Sequence, residues 1–152
     1  MDDDVTRSMI AAASRRMVKR SDVMTVVGVG LGGAVGATLR WLVGEPLRSA
    51  SPVVDAFPWP TFVVNVVGCL LIGLVSIGLS EEHRMRPILV TGVLGGFTTM
   101  SAFAVELNDL ADASRNDLAA IYLGATLAAG AGAVLLGEVL GGRRRADGTS
   151  AP

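Results

Sequence analysis

The sequence predicts an all-α integral membrane protein built from four transmembrane helices. Three observations carry this reading. About half of the 152 residues are hydrophobic (51%). Those residues fall in long uncharged blocks, and the charged residues lie between the blocks. Val23 to Leu39, Pro60 to Ser80, Pro87 to Val105 and Leu118 to Gly137 contain no Asp, Glu, Lys or Arg. Each block is close to the roughly 20 residues that cross the hydrocarbon core as a helix. Burying the blocks in a soluble core would require a shell of amphipathic segments, and few residues remain to make one. The length allows one domain. The expected organisation is an N-terminal tail over 1–22, a four-helix transmembrane domain over 23–142 and a disordered C-terminal tail over 143–152.

Charge sets the expected orientation. Arg15, Arg16, Lys19 and Arg20 precede the first span. No convincing small-residue cleavage site follows, and the apolar block outruns a signal h-region, so the segment reads as an uncleaved first helix. In a four-span topology the N-terminal tail, the loop with Arg84 and Arg86, and Arg143-Arg144-Arg145 share one side, and the loops with Arg48 and Arg115 share the other. The first side holds most of the basic residues, which places both termini in the cytoplasm of a cell whose plasma membrane the chain spans. The formal net charge of −1 names no partner.

The first span carries Gly28, Gly32, Gly36 and Arg40, each four apart and so on one face. Small residues at this spacing let another helix approach closely in lipid. Arg40 shares that face, which favours pairing or a water-filled vestibule over simple snorkelling beside Trp41. The second span places Thr61, Asn65 and Cys69 on one face. An amide at this depth demands partners: Asn65 either bonds another helix or offers N–H donors to a passing anion. Cys69 reads as a small packing residue, since one cysteine forms no intrachain disulfide or thiolate metal site. His83, in the polar loop EEHRMR, reads as solvated.

The third span is the unusual one. GVLGGFTTMSAFAVE (Gly92 to Glu106) breaks an apolar run with Gly95-Gly96 and then presents Thr98, Thr99 and Ser101. Loose backbone at membrane depth is tolerated only where protein buries it or water reaches it. Broken helices expose carbonyls to cations and N–H groups to anions. The fourth span puts Tyr122, Thr126 and Gly130 on one face, with Gly137 and Gly141 continuing a small-residue seam. Its hydroxyls either line a polar path or bond back to helix carbonyls.

Enzyme chemistry finds no home in these residues. There is no nucleophile elbow, His-rich metal motif or phosphate loop. Gly28, Gly30 and Gly33 fit a bare GxGxxG, but inside an apolar span that pattern does not make a nucleotide site.

Three segments together resemble one family. GGAVGATLRW (Gly32 to Trp41), TFVVNVVGCLLIG (Thr61 to Gly73) and GVLGGFTTMSAFAVE are similar to the signature segments of the Fluc/CrcB fluoride channels. They occur in the same order, and the fourth span with Tyr122 and Thr126 is compatible. The resemblance covers all but the two tails. It implies an antiparallel dimer of four-helix subunits with two fluoride pathways and broken third helices crossing at the centre. There a structural sodium ion is held by backbone carbonyls, which on this sequence are those of Gly95 and Thr98, with the glycines opening the backbone. It further implies that Asn65 donates to fluoride, that Phe103 presents a positive ring edge, and that Ser101, Thr99, Tyr122 and Thr126 supply polar steps. Arg40 is expected at a vestibule, attracting anions or bracing structure. Met100 occupies the position of the first of two family phenylalanines and has no ring edge to offer. Gly130 falls where a hydroxyl often lies.

The function so implied is passive, fluoride-selective export that lowers cytoplasmic fluoride. The strong charge bias adds an expectation of its own. An antiparallel homodimer needs a sequence that inserts both ways, so the partner is expected to be a related subunit of opposite bias rather than a second copy. In that case a weakly conducting or structural role within a heterodimer is the alternative. A coupled fluoride–proton antiporter is disfavoured, because Glu106 and Glu138 lie near helix ends.

Overall fold

The computed structural model describes residues 20–50 and 56–148. Helix α1 spans Arg20–Ala50 and α2 spans Trp59–Gly78. A π-helical segment, Ile88–Leu94, leads into the single turn α3, Gly95–Phe97. Helix α4 spans Met100–Asp112 and α5 spans Asn116–Gly148. Among the described residues four spans are long and apolar enough to cross a membrane: Asp22–Pro46, Trp59–Gly78, Ile88–Asp112 and Asn116–Arg143. Large apolar side chains such as Leu31, Leu127 and Leu135 stay more than 60% exposed along these helices, as lipid-facing residues do.

Local chemistry explains the boundaries. Pro60 lies in the first turn of α2, where a missing N–H costs nothing. Helix α4 is capped by Thr99, whose Oγ1 accepts from the Ala102 N–H at 3.1 Å. A left-handed Ser114 (φ 59°) reverses the chain between α4 and α5. Helix α5 continues to Gly148. The backbone of 143–148, expected in a tail, is therefore helical; residues 1–19 and 149–152 lie outside the described residues.

The third span is broken, but the break is not at the glycines. Gly95 is helical (φ −65°, ψ −36°), and no described glycine has positive φ. The helix stops at Thr98 (φ −75°, ψ 158°), and Thr99 is also extended (φ −144°, ψ 119°). Gly96 serves close approach instead: a methyl group there would fall on the Gly33 carbonyl oxygen.

Two backbone-to-backbone seams join the spans. Along α1, a Cβ on Gly32 would stand 2.9 Å from the Ile88 carbonyl oxygen, and one on Gly36 would collide with the Val93 carbonyl oxygen. The glycine face of the first span thus seats the π segment and α3. Helices α2 and α5 form the most extensive pairing. In their seam Gly73 lies on the Val134 carbonyl and Gly137 on the Leu70 carbonyl. Near the α4–α5 reversal Phe103, Leu110 and Tyr122 are buried, and Phe57, Phe62, Leu107 and Leu118 pack on them.

Candidate functional site: a polar cavity at the broken third span

The break is held from outside by one amide. Asn65, on α2, donates from Nδ2 to the Thr99 carbonyl at 3.0 Å and accepts the Thr99 N–H on Oδ1 at 2.8 Å. An uninterrupted α-helix would send that N–H to the Gly95 carbonyl. Asn65 therefore replaces the helix as partner of Thr99 and diverts the donor Gly95 would have received. Gly68, a turn below Asn65, makes room for the break: a methyl group there would meet Thr98 Cγ2.

Arg40 reaches the same place from α1. Its Nη1 donates to the Thr98 carbonyl at 3.2 Å. The arginine braces the break, and it also lines an open cavity of 560 Å³ together with Thr61, Thr99, Ser101 and Glu106. The Thr99 and Ser101 hydroxyls are 3.2 Å apart.

A second cluster borders the cavity. Glu106 accepts from the Thr61 hydroxyl at 2.6 Å on Oε1 and from the Tyr122 hydroxyl at 2.7 Å on Oε2. Tyr122 is fully buried, with its ring 5.0 Å from Phe103 and 5.2 Å from Phe57.

The remaining expected positions divide. Phe103 is buried in the aromatic cluster (3% exposed) rather than open to the cavity. Thr126 makes no bond back to its helix; its Oγ1 is buried without a hydrogen-bond partner among the described residues. Met100 is 74% exposed and off the cavity wall. Among the described residues no group of three or more His, Cys, Asp and Glu could hold a metal ion.

The signature segments, the break and the polar cavity all lie within residues 27–138, and over those residues the chain matches the family described as CrcB-like protein, camphor resistance (CrcB). The chain belongs to the CrcB family. It is 42% identical over 121 residues to a Streptomyces avermitilis protein named fluoride-specific ion channel FluC 2, an overlap of 77% of this chain and 75% of that one. It is 42% identical over 124 residues to fluoride-specific ion channel FluC of Agrobacterium fabrum, covering 78% and 97%. With FluC 2 of Rhodococcus jostii the identity is 46% over 114 residues, covering 75% and 96%.

In this CrcB chain the residue that sequence reasoning missed is Glu106. Counted from the end of the span it looks peripheral. Because α4 begins anew at Met100, Glu106 lies only two turns from a helix start inside the membrane, facing Thr61 and Tyr122. The sequence does carry a signal: Thr61 and Tyr122 place hydroxyls within apolar spans, and polar groups at this depth need a partner.

Proposed function

We propose that this chain forms a passive, fluoride-selective channel of the plasma membrane, with both termini cytoplasmic, that exports cytoplasmic fluoride and so limits its toxicity. One observation carries the reading. Asn65 clamps a mid-membrane helix break beside a cavity whose wall offers the neutral hydroxyls of Thr61, Thr99 and Ser101, with the Arg40 guanidinium on the same wall. Fluoride is small and strongly hydrated. A pore that passes it replaces water with N–H and O–H donors without binding too tightly to release. The names of the relatives support the same ion.

The residues then have distinct tasks. Arg40 draws anions to the cavity. Asn65 keeps one N–H beyond the one given to Thr99. Thr99, Ser101 and Thr61 follow as hydroxyl donors, and Glu106 holds Thr61 and Tyr122 oriented until an anion competes for them. Thr126, whose buried hydroxyl has no partner among the described residues, continues the path. Neutral HF enters from acidic surroundings and dissociates inside, and the inside-negative potential drives the anion out.

Assembly is proposed as an antiparallel dimer whose broken third spans meet at the centre. The donor set at the break fits a structural sodium ion. Gly95 has lost its helical donor to Asn65, and the Thr98 carbonyl keeps a lone pair beyond the one taken by Arg40. Hard carbonyl oxygens suit a hard cation. These two carbonyls would hold the ion, whose charge would offset the loss of helical bonding. Replacing Na⁺ by N-methyl-D-glucamine should then lower the thermal midpoint of the purified assembly; no change would remove sodium from the proposal.

The deciding experiment is fluoride efflux from liposomes, with chloride as control and the Asn65→Asp variant beside it. Fluoride release without chloride release, lost in the variant, is expected. Equal release of both halides would overturn selectivity. The outward position of Met100 favours a second reading, a weakly conducting subunit whose pathway is completed by another chain.

A further inference from the structure

We infer that Arg40 sets the valence of the cation at the helix break: its guanidinium, bonded to the Thr98 carbonyl, lets that oxygen hold a monovalent ion and disfavours a divalent one. This rests on the sodium site proposed above and adds the residue that governs its charge preference.

Arg40 reaches across from α1 and donates from Nη1 to the Thr98 carbonyl at 3.2 Å. Among the described residues this is its one polar contact, and no carboxylate there pairs with the guanidinium. A carbonyl oxygen has two lone pairs. A cation on the second lone pair would share its oxygen with a fixed positive charge. Coulomb repulsion scales with the product of the charges, so a divalent ion meets twice the opposition that a monovalent ion does. Arg40 therefore lowers the affinity of the site for every cation, and most for those of higher charge.

The surroundings do not offset that charge. Asn65, which holds the break from the other side, is neutral, as are the Thr99 and Ser101 hydroxyls. Of the residues lining the cavity only Arg40 and Glu106 are ionisable at all. Glu106 lies well beyond Met100 on α4, about 9 Å along the helix axis at 1.5 Å per residue. Its oxygens are occupied by the Thr61 and Tyr122 hydroxyls. Divalent Ca²⁺ is usually held by several carboxylate oxygens. Among the described residues no group of three or more acidic or other metal-ligating side chains could supply them. Carbonyl oxygens alone would leave the charge preference open, and the guanidinium on the Thr98 carbonyl decides it.

The test reads binding through stability. The purified assembly is titrated with NaCl and, separately, with CaCl₂, while N-methyl-D-glucamine chloride holds the ionic strength constant and the thermal midpoint is followed. Ca²⁺ is close to Na⁺ in size and differs in charge, so the pair isolates valence. The unmodified protein is expected to be stabilised by Na⁺ and not by Ca²⁺. Arg40→Gln offers the carbonyl an N–H without the charge. In that variant the Na⁺ concentration giving half of the stabilisation should fall about tenfold, and affinity for Ca²⁺ should rise about a hundredfold, because the energy doubles with the charge. Arg40→Lys keeps the charge and should keep the preference for Na⁺, at a lower midpoint. Equal stabilisation of the unmodified protein by Ca²⁺ and Na⁺ overturns the inference without need of a variant. So does an Arg40→Gln protein that answers both ions as the unmodified one does, or that stops responding to Na⁺. An Arg40→Lys protein that matches Arg40→Gln overturns it too. Indifference of the unmodified protein to both ions removes the sodium site itself, and with it the part given to Arg40 there.

Discussion

Asn65 gives both ends of its amide to one residue, donating to the Thr99 carbonyl and accepting the Thr99 N–H. This is the hydrogen-bond pairing of a β-ladder made by a side chain, inside the span of a helical protein. It lets the chain leave helical geometry at Thr98 and resume it at Met100 without stranding the Thr99 backbone. The break is thus a supported structure, and the support stands beside the groups proposed to carry the anion.

Asn65→Asp tests that support. The variant has no N–H for the Thr99 carbonyl and sets a carboxylate against it. Losing such a bond with its partner left in place costs about 1–3 kcal/mol, more when a charge is involved. We expect fluoride efflux to fall at least tenfold, equivalent to about 1.4 kcal/mol of barrier, together with a lower thermal midpoint. An active, equally stable variant would show that the amide holds nothing.

The Glu106 cluster predicts a ranking. Tyr122→Phe keeps the ring and removes one hydrogen bond, a loss of about 0.5–1.5 kcal/mol. Glu106→Gln keeps an acceptor for one hydroxyl and can donate to the other. Glu106→Ala strands both Thr61 and Tyr122. Thermal stability should fall least in Glu106→Gln and most in Glu106→Ala. Efflux should follow the same order, and the reverse order would remove Glu106 as the organiser of the two hydroxyls.

Arg40 predicts a salt dependence. If its charge draws anions to the cavity, raising ionic strength should slow efflux in the unmodified protein, since exposed charges are screened beyond a Debye length of about 8 Å at physiological salt. Arg40→Gln should be slower at low salt and nearly insensitive to added salt. Arg40→Lys keeps the charge but loses the planar fork that meets the Thr98 carbonyl. It should retain the salt response with reduced stability. Identical salt curves for all three would leave Arg40 only its brace.

Much of this was legible in the sequence, for physical reasons. The four spans follow from uncharged blocks of bilayer length. The seam of Gly28, Gly32 and Gly36 follows from spacing, whereas its partner, the third span, is set by the fold. That the third span breaks could be read from its glycines and hydroxyls. The position of the break could not, because Gly95 and Gly96 remain helical and the decisive partner, Asn65, lies on another helix. The π-helical winding of Ile88–Leu94 has no signature in ILVTGVL, which reads as any apolar helix. Glu106 was misplaced because distance from the end of a span says nothing about a helix that restarts within it. Phe57 lies outside every apolar block, and only the fold brings its ring onto Tyr122.

The seams have a consequence for repair by second-site change. Gly36→Ala would put a methyl group on the Val93 carbonyl and close to the Phe97 N–H, both main-chain atoms. No substitution elsewhere can trim them, so a suppressor search should return nothing local. At Gly68 the obstacle is Thr98 Cγ2, a side-chain methyl. Gly68→Ala should be rescued by Thr98→Ser, which removes that methyl and keeps the hydroxyl bonded to the Leu94 carbonyl. Two glycines that look alike in sequence would then differ in kind: one defect is reversible in a single further step, and the other is locked.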